Sequence, residues 1–307
     1  MVIDKATSAA TTHSVRAIVC MLVGSALLAL NDALMKSLTD SYPVGQLLFV
    51  RGLFIYPWVL LLAYRQGGLQ TLRVKSMKGQ FLRGSCVIAG SFLFVTGLRY
   101  LPLADAVAIA FTGPMFITAM APIVLGESVG WRRWAAVLLG LVGVLFMARP
   151  TGEAVQWAML LPLAAALCGG IRDLVTRRIS QSETSVAVLF VTTTAVTLAG
   201  LVTAPFGWSD LLARDLWVFI ASGALVAGAH YLMIEAFRLG EAALVAPFKY
   251  TSMVWAILFG FIFFADLPDG WTLFGAAIVV FAGLYIMHRE TRFGRRPFAS
   301  ARTPPRL

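Results

Sequence analysis

The sequence predicts an all-α, polytopic membrane protein whose ten transmembrane helices form two inverted five-helix repeats. Composition, the spacing of apolar runs and an internal repeat lead there. Of 307 residues, 59% are hydrophobic and only 13% are charged, whereas a soluble domain carries roughly 25% charged residues. That balance, with a mean hydropathy of +0.82, excludes a soluble globular enzyme. The apolar runs are continuous, whereas a membrane β-barrel would alternate in segments of about ten residues.

A helix that crosses the hydrocarbon core uses about 20 residues. Runs of that length fall at 15–36, 44–64, 81–100, 103–125, 132–148, 157–178, 185–205, 216–237, 242–265 and 270–288. The first run is too long for a signal-peptide core, ends in Asn31 and Asp32, and has no small-residue cleavage site, so it is kept as a span. Pro43 opens the second, and Gly67-Gly68 begins the long Arg65–Leu82 connection to the third. Pro102, Gly126, Pro150, Gly207, Gly240 and Pro268-Asp269-Gly270 punctuate the rest. The expected organisation is a cytoplasmic tail over 1–14, repeats over 15–148 and 157–288, and a basic cytoplasmic tail over 289–307. Cys20, Cys86 and Cys168 all lie within apolar runs and read as small core residues, with no disulfide framework or metal pair.

Lys and Arg set the orientation, because positively charged loops stay in the cytoplasm. With the N-terminus inside, 18 of the 25 cations fall in inside segments, Arg83 among them, and only Lys36, Arg99, Arg149 and Arg214 fall outside. Both termini are therefore expected in the cytoplasm, with the chain in the inner (plasma) membrane. Trp131, Trp134, Trp157, Trp208, Trp217 and Trp271 sit at span ends, as an interfacial belt requires. The net charge of +10 is topology information, and the Arg-rich tail suits lipid headgroups better than nucleic acid.

The halves resemble each other. At an offset of 141, Leu48-Phe49-Val50 matches Leu189-Phe190-Val191, and Asp32 with Lys36 matches Asp173 with Arg177. At 139, Arg99 matches Arg238, Thr112 matches Thr251 and Glu127 falls on Asp266; at 140, Trp131, Gly143 and Met147 match Trp271, Gly283 and Met287. Five helices per repeat is odd, so the second copy enters the membrane in the opposite sense, an architecture of secondary transporters.

Gly126-Glu127 and Ala265-Asp266 close spans four and nine, and Pro247-Phe248-Lys249-Tyr250 precedes Trp255 and Gly260. With two five-helix repeats, this pattern resembles the ten-helix EamA-type branch of the drug/metabolite transporter superfamily over residues 15–288. The resemblance implies a secondary carrier, not an enzyme, with a small-molecule substrate and no cofactor. It leaves the substrate open, since the family moves amino acids, nucleotide-like metabolites, vitamins, metallophores and drugs in either direction.

An ionisable side chain inside a span costs at least about 2.5–3.5 kcal/mol, so each needs a reason. Arg51 lies deep in span two, and its repeat equivalent is the neutral Thr192, which takes its charge off the shared scaffold. It reads as a carboxylate ligand, or as a helix tie that snorkels. Lys249 follows Pro247, which loosens span nine; it reads as a ligand contact, or as a salt bridge to Asp32 or Glu235. Tyr250 and Trp255 form an aromatic wall or pack against a neighbouring helix. Asn31 and Thr112 complete the candidate substrate-binding set.

Asp32 and Lys36, four apart with the acid first, suit a helical ion pair, as do Asp173 and Arg177. Such repeated pairs read as gating or scaffold elements. Arg172 adds a further cation in the place of Asn31. Glu235 is the candidate protonatable carboxylate of a proton-coupled carrier, or a partner of Arg238. His230, the one histidine inside a span, is a candidate polar cavity group; without a cluster of ligands it makes no metal site. Gly113-Pro114 beside Thr112 and Pro247 in span nine mark equivalent helix breaks toward one cavity.

The mixed-sign interior suits a zwitterionic or carboxylate-bearing, amino-acid-derived metabolite, a class that includes metallophores, and efflux is the expected direction. The alternative is import of a vitamin or an S-adenosylmethionine-like compound. A non-transporting sensor or an intramembrane enzyme is the reading from another class, but hydrolase, metalloprotease and P-loop motifs are missing from the sequence. The lipid bilayer is the expected surrounding partner, a proton the candidate coupling ion, and the chain a monomer or homodimer.

Overall fold

A computed structural model describes residues 2–74, 76–125, 130–148, 155–179, 184–239 and 245–293. Lys75, Gly126-Glu127, Arg149-Pro150, Gly240 and the tail after Phe293 lie outside the described residues, as do the side chains of Arg177, Arg178 and Arg238. The helices are α1 (Val2–Leu38), α2 (Val44–Arg65), α3 (Met77–Tyr100), α4 (Leu103–Ala110), α5 (Gly113–Leu125), α6 (Trp131–Ala148), α7 (Leu160–Ile179), α8 (Ser185–Val202), α9 (Ala213–Leu239), α10 (Thr251–Phe264) and α11 (Gly270–Phe293). A 3₁₀ turn over Ala246–Tyr250 leads into α10. Span four is α4 followed by α5 and span nine is that turn followed by α10, so these elements make ten spans. Among the described residues, eight of the ten are long and apolar enough to cross a membrane. Helix α1 runs without a break from Val2, with Val15–Leu38 as its apolar part.

Local chemistry explains several boundaries. Pro43 and Pro102 precede α2 and α4, where a missing N–H costs nothing. Thr184 caps α8, its Oγ1 accepting from the Ala187 N–H (3.1 Å). Asp269 caps α11, its Oδ1 accepting from the Thr272 N–H (2.8 Å). At the end of α10, Ala265 takes φ 54°, the left-handed conformation that usually calls for glycine. Its N–H donates to the Phe261 carbonyl (3.0 Å) and that of Asp266 to the Gly260 carbonyl (3.2 Å).

Packing obeys the two-fold relation between repeats. Helix α1 packs on α9, and its repeat equivalent α7 packs on α3; α1 meets α10 as α7 meets α5; α2 meets α9 as α8 meets α3. The pairs α2–α8 and α6–α11 each join a helix to its own repeat equivalent, and α4, the first half of span four, packs on α10, the second half of span nine. In lipid, apolar surface gives no preference for another helix over a lipid tail, so close backbone approach does the work. A Cβ on Gly143 of α6 would stand 2.7 Å from the Gly275 carbonyl oxygen of α11, and one on Gly200 of α8 would stand 2.6 Å from that of Gly45 on α2. Large apolar side chains such as Leu138, Leu145, Ile262 and Phe281 are exposed on the outer surface, as a lipid-facing shell requires.

Candidate functional site: two related polar clusters

The repeat brings two sets of four residues together. In the first, α1 contributes Asn31 and Asp32, α2 Arg51 and α9 Ser222. Asn31 Nδ2 donates to Asp32 Oδ1 (3.0 Å), and Ser222 Oγ donates to Asn31 Oδ1 (2.6 Å). Asn31 is 1% exposed and Ser222 fully buried. Arg51 is the charge that acts on Asp32, and its Nε is buried with no hydrogen-bond partner among the described residues.

In the second set, α7 contributes Arg172 and Asp173, α8 Thr192 and α3 Arg83. Arg172 Nε donates to Asp173 Oδ1 (2.8 Å), and Nη2 lies 2.8 Å from the same oxygen. The two side chains are 38% and 44% exposed. Arg83, only 8% exposed, donates from Nη1 to Thr192 Oγ1 and at 3.4 Å to the Val188 carbonyl, within electrostatic reach of Asp173 and Arg172.

Two further groups face this second set. Lys249, in the 3₁₀ turn before α10, is exposed and lies within electrostatic reach of Asp173 and Arg172. His230 on α9 donates from Nδ1 to the Val226 carbonyl (2.8 Å) and feels Arg172, Arg51 and Lys249. Among the described residues, α7 does not pack closely against α2, α9 or α10. Arg172 and Asp173 of α7 nevertheless act on Lys249 before α10, and Arg172, Arg51 of α2 and Lys249 act on His230 of α9.

The structure corrects several expectations from sequence. Lys36 does not turn to Asp32: its Nζ donates to the carbonyls of Leu98 (3.0 Å) and Leu101 (2.6 Å) and stands 5.2 Å from the Phe264 ring centroid. The C-terminus of α3 presents unsatisfied carbonyls, which attract a cation. Asp173 accepts from its neighbour Arg172, and the expected pair with Arg177 falls on a side chain outside the described residues. Arg83 is not a loop cation but a buried residue of α3. The carboxylate acting on Lys249 is Asp173. Nor is Arg51 foreign to the shared scaffold, because Arg83 brings a guanidinium to its repeat equivalent, Thr192.

Other singled-out residues sit at the helix breaks. The chain leaves helical form between Ala110 and Gly113, so Pro114 falls in the first turn of α5, and Pro247 lies in the 3₁₀ turn before α10. Thr112 is fully buried and its Oγ1 donates to the Ile109 carbonyl (2.7 Å), so the hydroxyl closes the break instead of facing a ligand. Tyr250 stacks on Phe111 and lays its hydroxyl against Gly283. Trp255 stacks on Phe259 (6.1 Å, 20°), and its Nε1 is buried without a hydrogen-bond partner among the described residues. Glu235 is half-buried on α9. Sequence reasoning missed Ser222, Phe111 and the role of Arg83. An offset of 139 relates Arg83 to Ser222 and Phe111 to Tyr250, the one signal that could have found them.

An inverted-repeat bundle with charges gathered between its halves defines a membrane carrier. The chain belongs to the EamA-like transporter family, whose pattern matches residues 15–149 and 156–288. It is 34% identical to a riboflavin transporter of Rhizobium johnstonii, over 75% of this chain and 76% of that one. It is 26% identical to an S-adenosylmethionine uptake transporter of Rickettsia bellii (85% and 90% covered) and 23% identical to a pseudopaline exporter of Pseudomonas aeruginosa (85% and 92%). A crystal structure shares its fold with a TM-score of 0.64 at 20% identity, over 92% of this chain and 99% of that one.

Proposed function

We propose that this multi-pass transporter takes up a small metabolite with a flat, acceptor-rich heteroaromatic ring, of which riboflavin is the first to test. The observation that carries this reading is a pair of buried donors in the interior. Arg51 Nε and Trp255 Nε1 are buried donors without partners among the described residues, and each such group costs about 1–3 kcal/mol until an acceptor reaches it. The ring carbonyls and nitrogens of a flavin are acceptors, and its face suits the indole of Trp255. A relative named as a riboflavin transporter, at 34% identity, supports the same substrate.

Uptake is preferred over the efflux expected from the family resemblance because the S-adenosylmethionine relatives are named for uptake. The exporter relative is matched at the lower identity of 23%. The reading includes insertion in the plasma membrane with both termini cytoplasmic, and coupling to a proton through Glu235. The test is growth of a riboflavin auxotroph lacking its own uptake system, with and without this chain, at micromolar riboflavin. Labelled riboflavin and labelled S-adenosylmethionine are then followed into the same cells, with and without a protonophore. Riboflavin entry that the chain accelerates supports the proposal, whereas entry of S-adenosylmethionine alone, or acceleration of exit only, overturns it.

A further inference from the structure

The two polar clusters are equivalent in position but not in charge. Asn31 corresponds to Arg172, Asp32 to Asp173 and Arg51 to Thr192 at an offset of 141, and Ser222 corresponds to Arg83 at 139. The first cluster holds one carboxylate and one guanidinium, which compensate each other. The second holds one carboxylate, Asp173, and two guanidinium groups, Arg83 and Arg172, with the Lys249 ammonium in electrostatic reach. Arg172, in the place of the neutral Asn31, supplies the extra charge, and Arg83 keeps it from being lost: its head group reaches Thr192, the place that the repeat gives to Arg51, from a different helix.

Accessibility is uneven within both clusters. Asn31 and Ser222 are sealed at 1% and 0% exposure, whereas the side chains of Arg172 and Asp173 are 38% and 44% exposed and Lys249 is exposed. Asp32 and Arg51 are half-buried and Arg83 is 8% exposed, so a ligand in the interior meets the open charges of the second cluster, Arg172, Asp173 and Lys249, as well as Arg51.

We propose that Arg83 is a specificity-determining residue: with Arg172 and Lys249 it makes the cluster around Asp173 a site for the anionic or electron-rich edge of the substrate, and it rejects a ligand of net positive charge. This rests on the transporter reading above and deepens it. Electrostatics of like sign discriminates by repulsion as much as by attraction, so removing one cation relaxes the choice. The alternative role for Arg83 is mechanical, as a tie from α3 to α8 through Thr192 and the Val188 carbonyl.

A ligand pair that differs in charge alone separates these roles. S-adenosylmethionine is a net cation, and S-adenosylhomocysteine lacks only its methyl group and sulfonium charge. Binding of both, and of riboflavin, is measured on the purified full chain in detergent by tryptophan fluorescence and thermal shift. The wild-type chain is expected to bind the homocysteine compound at least 10-fold more tightly than the sulfonium. Arg83→Gln, which keeps an amide to bond Thr192, should bring that ratio to within about 3-fold, while Arg83→Lys should preserve it. Arg83→Gln with Thr192→Arg, which moves the cation to the repeat-equivalent position, should restore it even where Arg83→Gln alone does not fold. An unchanged ratio in a stable Arg83→Gln variant assigns Arg83 to the mechanical role and overturns the proposal. Failure of riboflavin transport with the charge preference intact sinks only the substrate reading, and wild-type protein that binds none of the three compounds sinks both.

Discussion

Phe111 and Tyr250, each placed at the helix break of its own repeat, stack on one another with ring centroids 4.7 Å apart and planes at 32°. They are related by the same offset of 139 that relates Thr112 to Thr251. Both threonines bond the carbonyl three residues back, Thr112 to Ile109 (2.7 Å) and Thr251 to Phe248 (2.6 Å). The breaks in spans four and nine are thus the same device, joined face to face where the halves meet.

That contact predicts how Tyr250 responds to substitution. Its hydroxyl is buried against Gly283 without a partner among the described residues. Tyr250→Phe removes only the hydroxyl and should leave thermal stability in detergent equal or raised by up to about 1 kcal/mol, with flux retained. Gly283→Ala places a methyl group where the hydroxyl lies and should cost about 1–3 kcal/mol through overpacking. Loss of flux in a stable Tyr250→Phe variant would instead make the hydroxyl a ligand contact.

A second prediction concerns Ala265, whose φ of 54° carries a steric cost of roughly 1–2 kcal/mol for a residue with a Cβ. Glycine escapes that cost but loses more chain entropy on folding. Ala265→Gly should therefore stabilise the protein by about 0.5–1 kcal/mol, read as a raised unfolding temperature. A lowered temperature would mean that the alanine methyl packs usefully at this turn.

Spans, breaks and repeat were legible because each is written in local sequence. A 20-residue apolar run, a Pro-initiated turn at Pro247 and a recurring Leu-Phe-Val need no knowledge of neighbours. Charge partners were not legible. The acid-first spacing of Asp32 and Lys36 describes an isolated helix, but Lys36 is drawn away by the carbonyls of Leu98 and Leu101, more than sixty residues on. Arg83 likewise finds Thr192 across helices. A buried cation takes whichever acceptors the packing offers, and packing of α3 on α8 is a property of the assembled bundle.

The orientation proposed from the Lys and Arg distribution is tested by impermeant thiol labelling in a chain without native cysteines. Lys75→Cys should label only after the membrane is permeabilised, and Asp210→Cys should label in intact cells. The reverse pattern would place the Arg65–Leu82 connection outside and invert the orientation. Arg83, now assigned to the interior, leaves the imbalance lopsided and the expectation unchanged.

Lys36 closes one end of the bundle by joining α1 to the turn between α3 and α4 and to the face of Phe264. Lys36→Met keeps the length and apolar stem but loses both hydrogen bonds, each worth about 1.5–3 kcal/mol for a charged donor. Thiol labelling of Phe264→Cys in a Cys-free chain should then become several-fold faster than with Lys36 present. Equal labelling rates would show that apolar packing alone holds this end shut.

The last prediction separates balance from recognition at Lys249. Asp173 is the carboxylate that acts on Lys249, and it also accepts from Arg172 at 2.8 Å. If Lys249 serves only to balance Asp173, Lys249→Met leaves an acid less compensated, and Asp173→Asn should rescue it, because removing one partner of an interior pair costs more than removing both. If Lys249 meets substrate, neutralising Asp173 cannot bring back the lost contact. The chains compared are Lys249→Met, Asp173→Asn and the double variant, each measured for folded protein and for initial rate of riboflavin entry. We expect folded protein in all three, and a rate at least 10-fold down in both variants that lack Lys249. Since neighbouring charges couple, the decisive quantity is the rate of the double variant relative to Asp173→Asn alone. A ratio near unity would assign Lys249 to charge balance, and a ratio still 10-fold down would keep it at the substrate.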